Sequence, residues 1–219
     1  MYFDIARLDG PLSYKLLTAT VVPRPIAWVV TVDAQGTVNA APYSFFNFFG
    51  GFPPLVCIGI GRSHGRGRPA RKDTLANIQH GGDFVVNLVP EELVQAMNIT
   101  ATDFPPAWSE LQAAGLETAP SEKVKPPRIA RSPVAIECRL HQVVEIDTTG
   151  HLVLGHVVAV HVRDDAVVDA QRCYIDSAKL HLVGRMQSPA GYIHTADTFK
   201  LVQMDFATWQ ASQSKDQPA

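Results

Sequence analysis

Residues Val21 to Gly51, VVPRPIAWVVTVDAQGTVNAAPYSFFNFFGG, hold two short β-branched runs with a glycine-containing turn between them. The first run spans Ile26 to Asp33 and the second starts at Thr37, and the three residues 34–36 between them predict a β-hairpin. Across the whole chain, 16 prolines and 15 glycines separate further short apolar runs. This punctuation is typical of a mainly β domain, a barrel or a sandwich, with a few short peripheral helices.

The remaining β runs differ in which of their faces are apolar. Val134 to Ile146 alternates apolar and polar residues, with Glu137 on the polar face, which predicts a long half-buried strand. Leu152 to Val162 is apolar on both faces, so we expect its own core to cover one face and a second element or subunit to cover the other. Three further strands are predicted at Leu55–Ile60, Phe84–Val89 and Phe199–Phe206.

Length and charge exclude several classes of protein. At 219 residues and 23.9 kDa, the chain is long enough for one domain, which we place at residues 1–211, followed by a polar tail at residues 212–219 that we expect to be disordered. The net charge of -2 disfavours a nucleic-acid or membrane-surface binder. No apolar run approaches the ~20 residues of a membrane span, and the first residues lack a signal-peptide pattern, so the expected location is cytoplasmic.

The chain carries no pattern for a metal site or a disulfide framework. Its three cysteines lie far apart, include no Cys-x-x-Cys pair and are expected to be buried free thiols; they are Cys57, Cys138 and Cys173. His151, His156 and His161 recur every five residues, which places successive rings on opposite faces of one strand. We therefore predict no metal ligand set.

Pro23 and Pro25 flank Arg24 directly before the first strand of the hairpin. The two prolines fix φ around Arg24, so its guanidinium extends from a preset backbone position. The planar fork of that group suits phosphate or carbonyl oxygens. The alternative is an exposed arginine in a turn that leads into a strand.

Small, hydroxyl and aromatic residues interleave from Asn39 to Gly51. Small residues let a flat ligand approach the backbone, where free main-chain groups can hydrogen-bond the rim of a heteroaromatic ring. The alternative is an aromatic core cluster. Four phenylalanines cannot all face one core from a strand, so we expect some of them to line a pocket or a subunit interface. These four are Phe45, Phe46, Phe48 and Phe49.

A basic segment precedes the first predicted helix. Five of the 19 basic residues lie there: Arg62, Arg66, Arg68, Arg71 and Lys72. Asp73 is predicted to cap the helix, and the Thr74 hydroxyl with the free N–H groups of the first turn completes an anion site, most naturally for a phosphate. The competing interpretation is a nucleic-acid patch, which no motif around the segment supports.

Four segments, taken in order, resemble the flavin reductase-like family of FMN-binding split β-barrels. They are residues Val21–Gly61, Arg71–Ile78 (RKDTLANI), Asp83–Val89 (DFVVNLV) and Gly191–Leu201 (GYIHTADTFKL). The Pro-Arg-Pro and Asn-x-Ala-Pro-Tyr-Ser-Phe-Phe-Asn motifs carry the resemblance, in the same order and with the same spacing. It implies an FMN-binding split β-barrel that forms a homodimer, with FMN near the subunit interface.

The resemblance also implies the ligand contacts, position by position. Those expected around the isoalloxazine ring and the ribityl chain are Arg24, Thr31, Ser44, Phe45, Phe46 and Asn47. Those expected at the phosphate are Arg62, Lys72, Asp73 and Thr74. His194 stands where relatives often carry an arginine, so a contact made there by a permanent cation becomes pH-dependent or is lost.

The implied activity is that of an FMN-dependent oxidoreductase of the flavin reductase type. Hydride passes from NADH or NADPH to flavin N5, which requires stacking of the two rings and no catalytic side-chain acid or base. Arg24 or the backbone N–H after Ser44 is the expected donor to the reduced ring. FMN is either a prosthetic group or a substrate released to a monooxygenase or another electron acceptor.

Three other interpretations of the resemblance remain open. The first is an electron carrier that resembles flavoredoxin. The second is a non-catalytic flavin-binding protein, in which Tyr192 and Trp108 are the residues that could close the pocket. A related split barrel for haem or a pyridoxal-type phosphate is disfavoured, because the region of Ser44 and Asn47 follows the FMN pattern.

Overall fold

The structure, a computed structural model, describes residues 1–61, 72–105, 108–146, 150–187 and 189–213. Within these ranges, five α-helices form: α1 Gly10–Thr20, α2 Asp73–Gly81, α3 Val94–Thr100, α4 Glu110–Ala113 and α5 Phe206–Gln213. Short 3-10 helices cover Ile5–Arg7, Glu91–Leu93, Asp164–Ala166 and Ser177–Leu180. None of the helices in the described ranges has the length and apolar character needed to cross a membrane.

Thirteen β-strands account for most of the remaining regular structure in the described residues. The main sheet contains β1 Ala27–Val32, β2 Val38–Tyr43, β3 Phe46–Phe49, β4 Leu55–Gly61, β5 Asp83–Leu88, β8 Val134–Glu145 and β9 Gly150–Val162. Three two-stranded ribbons pair β6 Thr118–Ala119 with β7 Arg128–Ile129, β10 Val167–Asp169 with β11 Tyr174–Ile175, and β12 Val183–Arg185 with β13 Tyr192–His194.

The seven long strands form one antiparallel sheet in the order β2-β1-β5-β8-β9-β4-β3. Its two edge strands, β2 and β3, are consecutive in the chain and are separated by Ser44 and Phe45 alone. The Gly59 N–H donates to the Phe45 carbonyl at 2.7 Å, which holds this corner against β4. The sheet therefore curls into a barrel that is split between β2 and β3.

Both faces of the sheet are covered along β1, and its successive residues pack into two cores. Ala27 and Val29 belong to the inner core, together with the fully buried Phe84 and the apolar side of α2. Trp28 and Val30 belong to the outer core, which α3, α4 and the chain around residues 116–130 cover. This layering explains why β1 is a continuous apolar run rather than an alternating one.

The predicted fold class, mainly β with a few short peripheral helices, is confirmed. The predicted strand at Phe199–Phe206 is wrong: the described residues 199–205 pair with no strand, and α5 begins at Phe206. Helix α1 was not predicted. Of the expected C-terminal tail, residues 212 and 213 belong to α5, and residues 214–219 lie outside the described residues.

The three cysteines differ in exposure. Cys138 is buried, as predicted, whereas Cys57 is partly exposed and Cys173 is exposed, so the expectation of three buried thiols was wrong. Burial raises the pKa of the Cys138 thiol, and the neighbouring Glu137 carboxylate raises it further, so this thiol stays protonated.

Glu137 is fully buried, although the alternation in β8 predicts it on an exposed face. Its carboxylate accepts hydrogen bonds from the N–H groups of Glu122 and Lys123, at 2.8 and 2.6 Å, and from His161 Nε2 on β9 at 2.5 Å. Because a carboxylate can only accept, His161 carries its proton on Nε2. The predicted exposed position was wrong because the connection before β8 folds over this face.

The hydrogen bonds at Glu137 also change its protonation. Burial raises the pKa of this carboxyl, but the bonds from the Glu122 N–H, His161 and the Lys123 N–H outweigh burial and hold the pKa below its usual value. Glu137 is therefore ionised at neutral pH and fastens the connection to the barrel.

We expect Glu137→Gln to lower the free energy of unfolding by about 1–3 kcal/mol at pH 7, because an amide cannot accept from both N–H groups. The folded-state pKa lies below the unfolded-state value, so the carboxylate stabilises the fold above the unfolded-state pKa. This contribution is lost as the pH falls from about 4.5 through the lower folded-state pKa. Urea unfolding at a series of pH values measures both effects.

The matched control is Glu145→Gln, which changes an exposed glutamate on the same strand. It should alter the free energy of unfolding by less than about 0.5 kcal/mol. Equal losses in the two variants would contradict a specific role for the Glu137 carboxylate.

A second stability test concerns Gly155 in β9, which lies under the ring of Phe84. A Cβ at this position would lie 2.3 Å from Phe84 Cζ, and the ring is fully buried in the inner core. We expect Gly155→Ala to destabilise the fold by about 1–3 kcal/mol in urea unfolding. Gly61→Ala is the control, because a Cβ there meets no atom within 4 Å, and similar losses for both would refute the packing argument.

Candidate functional site

A cavity of about 110 Å³ lies where β2, the first turn of α2 and the chain after α3 meet. Asn39 to Tyr43 form its wall on β2, and Lys72 to Thr74 form the wall at α2. Thr100 to Asp103 and Glu110 complete the lining. Small-molecule pockets commonly measure roughly 300–1,000 Å³, so the described residues of one chain enclose only part of a ligand as large as a flavin nucleotide.

Two Asn–Thr hydrogen bonds fix the first turns of α2 against the barrel. Asn39 Nδ2 on β2 donates to Thr74 Oγ1 at 3.0 Å. One turn further along the helix, Asn77 Nδ2 donates to Thr31 Oγ1 on β1, also at 3.0 Å. Thr74 and Thr31 are both buried, so these bonds set the position of the helix N-terminus relative to the sheet.

The Tyr43 hydroxyl is buried at the cavity wall and has no hydrogen-bond partner among the described residues. Burial raises the pKa of Tyr43 far above its usual value; the nearby Thr74 hydroxyl opposes this shift in part, and the Asp73 and Asp103 carboxylates add to it. The phenol therefore keeps its proton. An unpaired buried hydroxyl costs about 1–3 kcal/mol, which a ligand group that accepts from it would recover.

The first turn of α2 also presents backbone donors. Lys72, not Asp73, is the N-cap residue, and its side chain makes no capping hydrogen bond. The predicted cap at Asp73 was wrong, because this residue is already helical. The Lys72 carbonyl accepts from the Leu75 and Ala76 N–H groups. The N–H groups of the first two helical residues, Asp73 and Thr74, therefore lie before the first hydrogen bond of the helix and make none within it.

Charge in the described part of the cavity is mixed. Lys72 Nζ lies 3.4 Å from Asp103 Oδ1, and the carboxylates of Asp73 and Glu110 line the same cavity. Carboxylates accept from ligand hydroxyls, whereas a phosphate dianion needs more positive charge than Lys72 supplies. Arg62, the remaining predicted phosphate contact, lies outside the described residues, as do Arg66, Arg68 and Arg71.

Arg24 is buried and joins three backbone segments. Its Nη1 donates to the Thr18 and Val21 carbonyls at 2.8 and 2.7 Å, and its Nη2 donates to the Met186 carbonyl at 2.9 Å. Nε donates to Ser44 Oγ at 3.4 Å. Four of the five guanidinium N–H groups are thus hydrogen-bonded to acceptors within the protein, so the observed role of Arg24 is structural. Its predicted contact with a ring stays a prediction.

The predicted ring contacts after Ser44 lie at the barrel corner and on the edge strand β3. Phe46 packs against the inner core, whereas Phe45 is half exposed, with its ring 5.9 Å from that of Tyr14. Asn47 is exposed, and its Oδ1 accepts from the Phe48 N–H at 2.8 Å. Four exposed rings follow this edge and are called the aromatic edge below: Phe45, Phe48, Phe49 and Phe52.

Thr31 and His194 do not line the cavity, and neither do the five predicted contacts described above: Arg24, Ser44, Phe45, Phe46 and Asn47. Thr31 is fully buried in β1, where its hydroxyl is bound to α2. His194 lies on β13, exposed, with Nδ1 3.3 Å from Glu91 Oε2. The structure thus brings together Lys72, Asp73 and Thr74 of the predicted set at one cavity, and the ligand roles of all the predicted residues stay predictions.

Sequence analysis did not identify Asn39, Tyr43 and Asp103 as site residues. Asn39 and Tyr43 are four residues apart on one strand, so they share a face, and this spacing within the quoted motif was an available signal. Asp103 had no such signal, because the packing of α3 on the outer core determines where it lies.

Comparison with known proteins gives consistent relatives. A family model described as "Flavin reductase like domain" matches residues 19–178. An uncharacterized protein of Deinococcus radiodurans is 46% identical over 213 residues, which cover 95% of this chain and 92% of that protein.

Two solved structures are similar along almost the whole chain. The structure of 2-nitrobenzoate 2-nitroreductase NbaA from Pseudomonas fluorescens has a TM-score of 0.84 and 33% identity, covering 94% of this chain and 98% of that one. Nitrilotriacetate monooxygenase component B from Bacillus cereus has a TM-score of 0.84 and 30% identity, covering 92% and 98%. The predicted split β-barrel is confirmed, and the chain belongs to the flavin reductase like domain family.

Proposed function

We propose that this protein is an FMN-binding oxidoreductase that uses NADH or NADPH as its electron donor. The observation that carries the proposal is the buried Tyr43 hydroxyl beside the first turn of α2, which has no partner among the described residues, with exposed aromatic rings around the adjacent barrel corner. A site of this kind suits a ligand with a polar chain and a flat ring. Family membership supports the flavin as that ligand.

The cavity residues would hold the polar part of FMN. Asn39, Thr74 and Tyr43 offer amide and hydroxyl groups to ribityl hydroxyls, and Asp103 can accept from them. Lys72 and the first N–H groups of α2 would bind the phosphate, with Arg62 as a further proposed contact. Lys72 would then exchange its contact with Asp103 for one with the phosphate.

The ring would lie along Phe45 and Asn47, outside the small cavity. When bound, FMN supplies a ring that accepts hydride at N5 from a nicotinamide. The chain contributes orientation and exclusion of water, and the backbone N–H after Ser44 is the proposed donor to the ring edge, since Arg24 is already committed to other acceptors.

We propose that the flavin ring stays open to a second substrate, and that neither Tyr192 nor Trp108 closes the site. Tyr192, one of the two residues considered as closing the pocket, packs against the outer core with its ring 4.7 Å from the Arg185 guanidinium. Trp108 stacks on Phe104 at 6.3 Å. Neither is among the described residues that line the cavity, where the polar part of FMN is proposed to bind.

The similar solved structures suggest two destinations for the electrons. The first of these structures is a nitroreductase by name, which favours a small organic acceptor above the ring. The second is a monooxygenase component, which favours delivery of flavin or electrons to a partner protein. A flavoredoxin-like electron carrier is the remaining alternative, and it differs in reacting poorly with nicotinamide nucleotides. We further propose that the chain acts as a homodimer, since the described residues of one chain enclose only part of the site.

The proposed function is tested by the visible spectrum of the purified protein loaded with FMN, recorded without oxygen before and after NADH and then NADPH. We expect the flavin band to bleach within seconds with one of the two nucleotides, because the site is open to a stacking nicotinamide. A band that persists with both would overturn the reductase assignment in favour of an electron carrier or a binding protein.

A binding test addresses the phosphate contact. Lys72→Ala should weaken FMN by about tenfold or more, because a charge-assisted contact is lost, and should change riboflavin affinity less than about twofold. Lys15→Ala, at an exposed helical lysine, is the control. Fluorescence titration measures both ligands, and equal weakening of FMN and riboflavin would place Lys72 away from the phosphate.

A further inference from the structure

Another cavity, called the arginine cavity here, lies where the start of β8 meets the end of β9. It measures about 310 Å³, which falls within the range of roughly 300–1,000 Å³ for small-molecule pockets. Its described lining includes three arginines, one histidine and one glutamate: Arg128, Arg131, Arg163, His161 and Glu92. Among the described residues, it shares no lining residue with the cavity at α2, so the two cavities are separate.

Hydrogen bonds fix the two segments that carry the arginines. The Ser132 hydroxyl donates to the Leu88 carbonyl of β5 at 2.8 Å, which holds the segment of residues 128–133 against the sheet. The Arg163 N–H donates to the Pro133 carbonyl at 2.9 Å, which joins the end of β9 to that segment. The guanidinium groups therefore extend from fixed backbone positions, which lowers the entropy cost of binding a ligand between them.

Two of the three arginines have carboxylate partners. Arg163 Nε donates to Asp165 Oδ1 at 2.7 Å. Arg131 Nη2 lies 3.4 Å from Glu92 Oε2, and the two side chains are 63% and 53% exposed. An exposed ion pair of this kind contributes little to stability, so a ligand with a higher negative charge can displace Glu92 from Arg131.

Arg128 forms no ion pair with any described carboxylate. Its Nε donates to the Pro120 carbonyl at 3.0 Å, which restrains the plane of the guanidinium. Its Nη1 and Nη2 groups donate to no described acceptor, and together they form a fork that can bind two oxygens of one anion. Once Arg131 is released from Glu92, the cavity offers two unopposed positive charges, which match the charge of one phosphate dianion.

His161 is held in the lining by a buried carboxylate. Its Nε2 donates to Oε1 of the fully buried Glu137 at 2.5 Å. Its other ring nitrogen, Nδ1, makes no hydrogen bond to the described part of the chain. Nδ1 is therefore left to accept from a hydroxyl group of a ligand.

An adjoining cavity of about 470 Å³ extends the arginine cavity and shares Glu92 and Arg163 with it. Glu91 and His181 contribute further polar groups to this extension. Carboxylate and imidazole groups hydrogen-bond hydroxyl groups. The combined space is much larger than a phosphate group and suits a ligand whose remainder carries hydroxyls.

We propose that the arginine cavity binds the phosphate group of a small phosphate ester, whose hydroxylated remainder occupies the adjoining cavity. Arg128 binds two phosphate oxygens through Nη1 and Nη2, and Arg131 exchanges Glu92 for a third. Phosphate is favoured over a carboxylate because it carries a second negative charge and its oxygens do not lie in one plane. The proposal does not rest on the proposed function, since the arginine cavity is separate from the cavity at α2.

The test is isothermal titration calorimetry with ribose 5-phosphate at constant ionic strength, on flavin-free and on FMN-saturated protein. We expect a dissociation constant of about 1 mM or below in both forms, weaker binding of inorganic phosphate and no binding of ribose. Binding that FMN abolishes would place the phosphate in the flavin site and overturn the proposal. So would the absence of binding, equal affinity for ribose or inorganic phosphate, or tighter binding of succinate.

Variants locate the ligand within the protein. Arg128→Ala and Arg131→Ala should each weaken ribose 5-phosphate by about tenfold or more, because each removes charge-assisted hydrogen bonds. Arg7→Ala is the matched control, since Arg7 also lies 3.4 Å from a carboxylate, that of Asp4. Equal weakening in Arg7→Ala would reduce the effect to net charge and overturn the proposal. A loss of binding in Lys72→Ala but not in Arg128→Ala would place the phosphate at α2, with the same consequence.

Glu92→Gln gives a result of the opposite sign. This variant should tighten ribose 5-phosphate by about twofold to fivefold, because it removes a negative charge from the lining and releases Arg131. Asp4→Asn, which releases Arg7 in the same way, should leave the affinity unchanged. An unchanged or weaker affinity in Glu92→Gln, or an equal gain in Asp4→Asn, would overturn the proposed exchange at Arg131 and with it the proposal.

Discussion

Closure of the barrel at Ser44 and Phe45 is the constraint on which the rest of the structure depends. Because β2 and β3 are consecutive strands at opposite edges of one sheet, two residues have to carry the chain from one edge to the other. Gly59 permits this, since a Cβ there would lie 2.9 Å from Phe45 Cβ, and its N–H holds the Phe45 carbonyl. The cavity wall on β2 and the aromatic edge are thereby placed on either side of one corner.

Buried polar groups then position the layer outside the barrel. Asn87 on β5 donates to the Trp28 carbonyl at 3.1 Å and accepts from the Ile129 N–H at 2.9 Å, and the Trp28 indole donates to Thr100 Oγ1 at 2.9 Å. Apolar contacts tolerate sliding, whereas these bonds require one register. Since the chain after Thr100 carries the cavity residue Asp103, the shape of the site depends on this outer layer as much as on the barrel.

The sequence patterns succeeded where one local property determined the outcome. The hairpin at the start of the sheet and the long strand β8 follow from turn residues and a period of two. The same period misplaced Glu137, because alternation identifies a face and says nothing about what later covers it. It also predicted a strand at Phe199–Phe206, where apolar residues belong to an arm that pairs with no strand of the described chain. Helix α1 was not predicted. Its apolar residues do not form a buried stripe with helical spacing, since Leu12 and Leu17 are both exposed.

By itself, the sequence determined the mainly β fold class, the hairpin, the preset position of Arg24 between two prolines and the polar first turn of α2, because each depends on neighbouring residues. Only the tertiary structure decided which acceptors Arg24 would bind and that Asn39 and Tyr43 would meet Thr74 at one cavity. These contacts join distant parts of the chain, 162 residues apart for Arg24 and Met186. Which buried donors find a protein partner, and which, like the Tyr43 hydroxyl, have none among the described residues, depends on how separate segments pack and not on any local pattern.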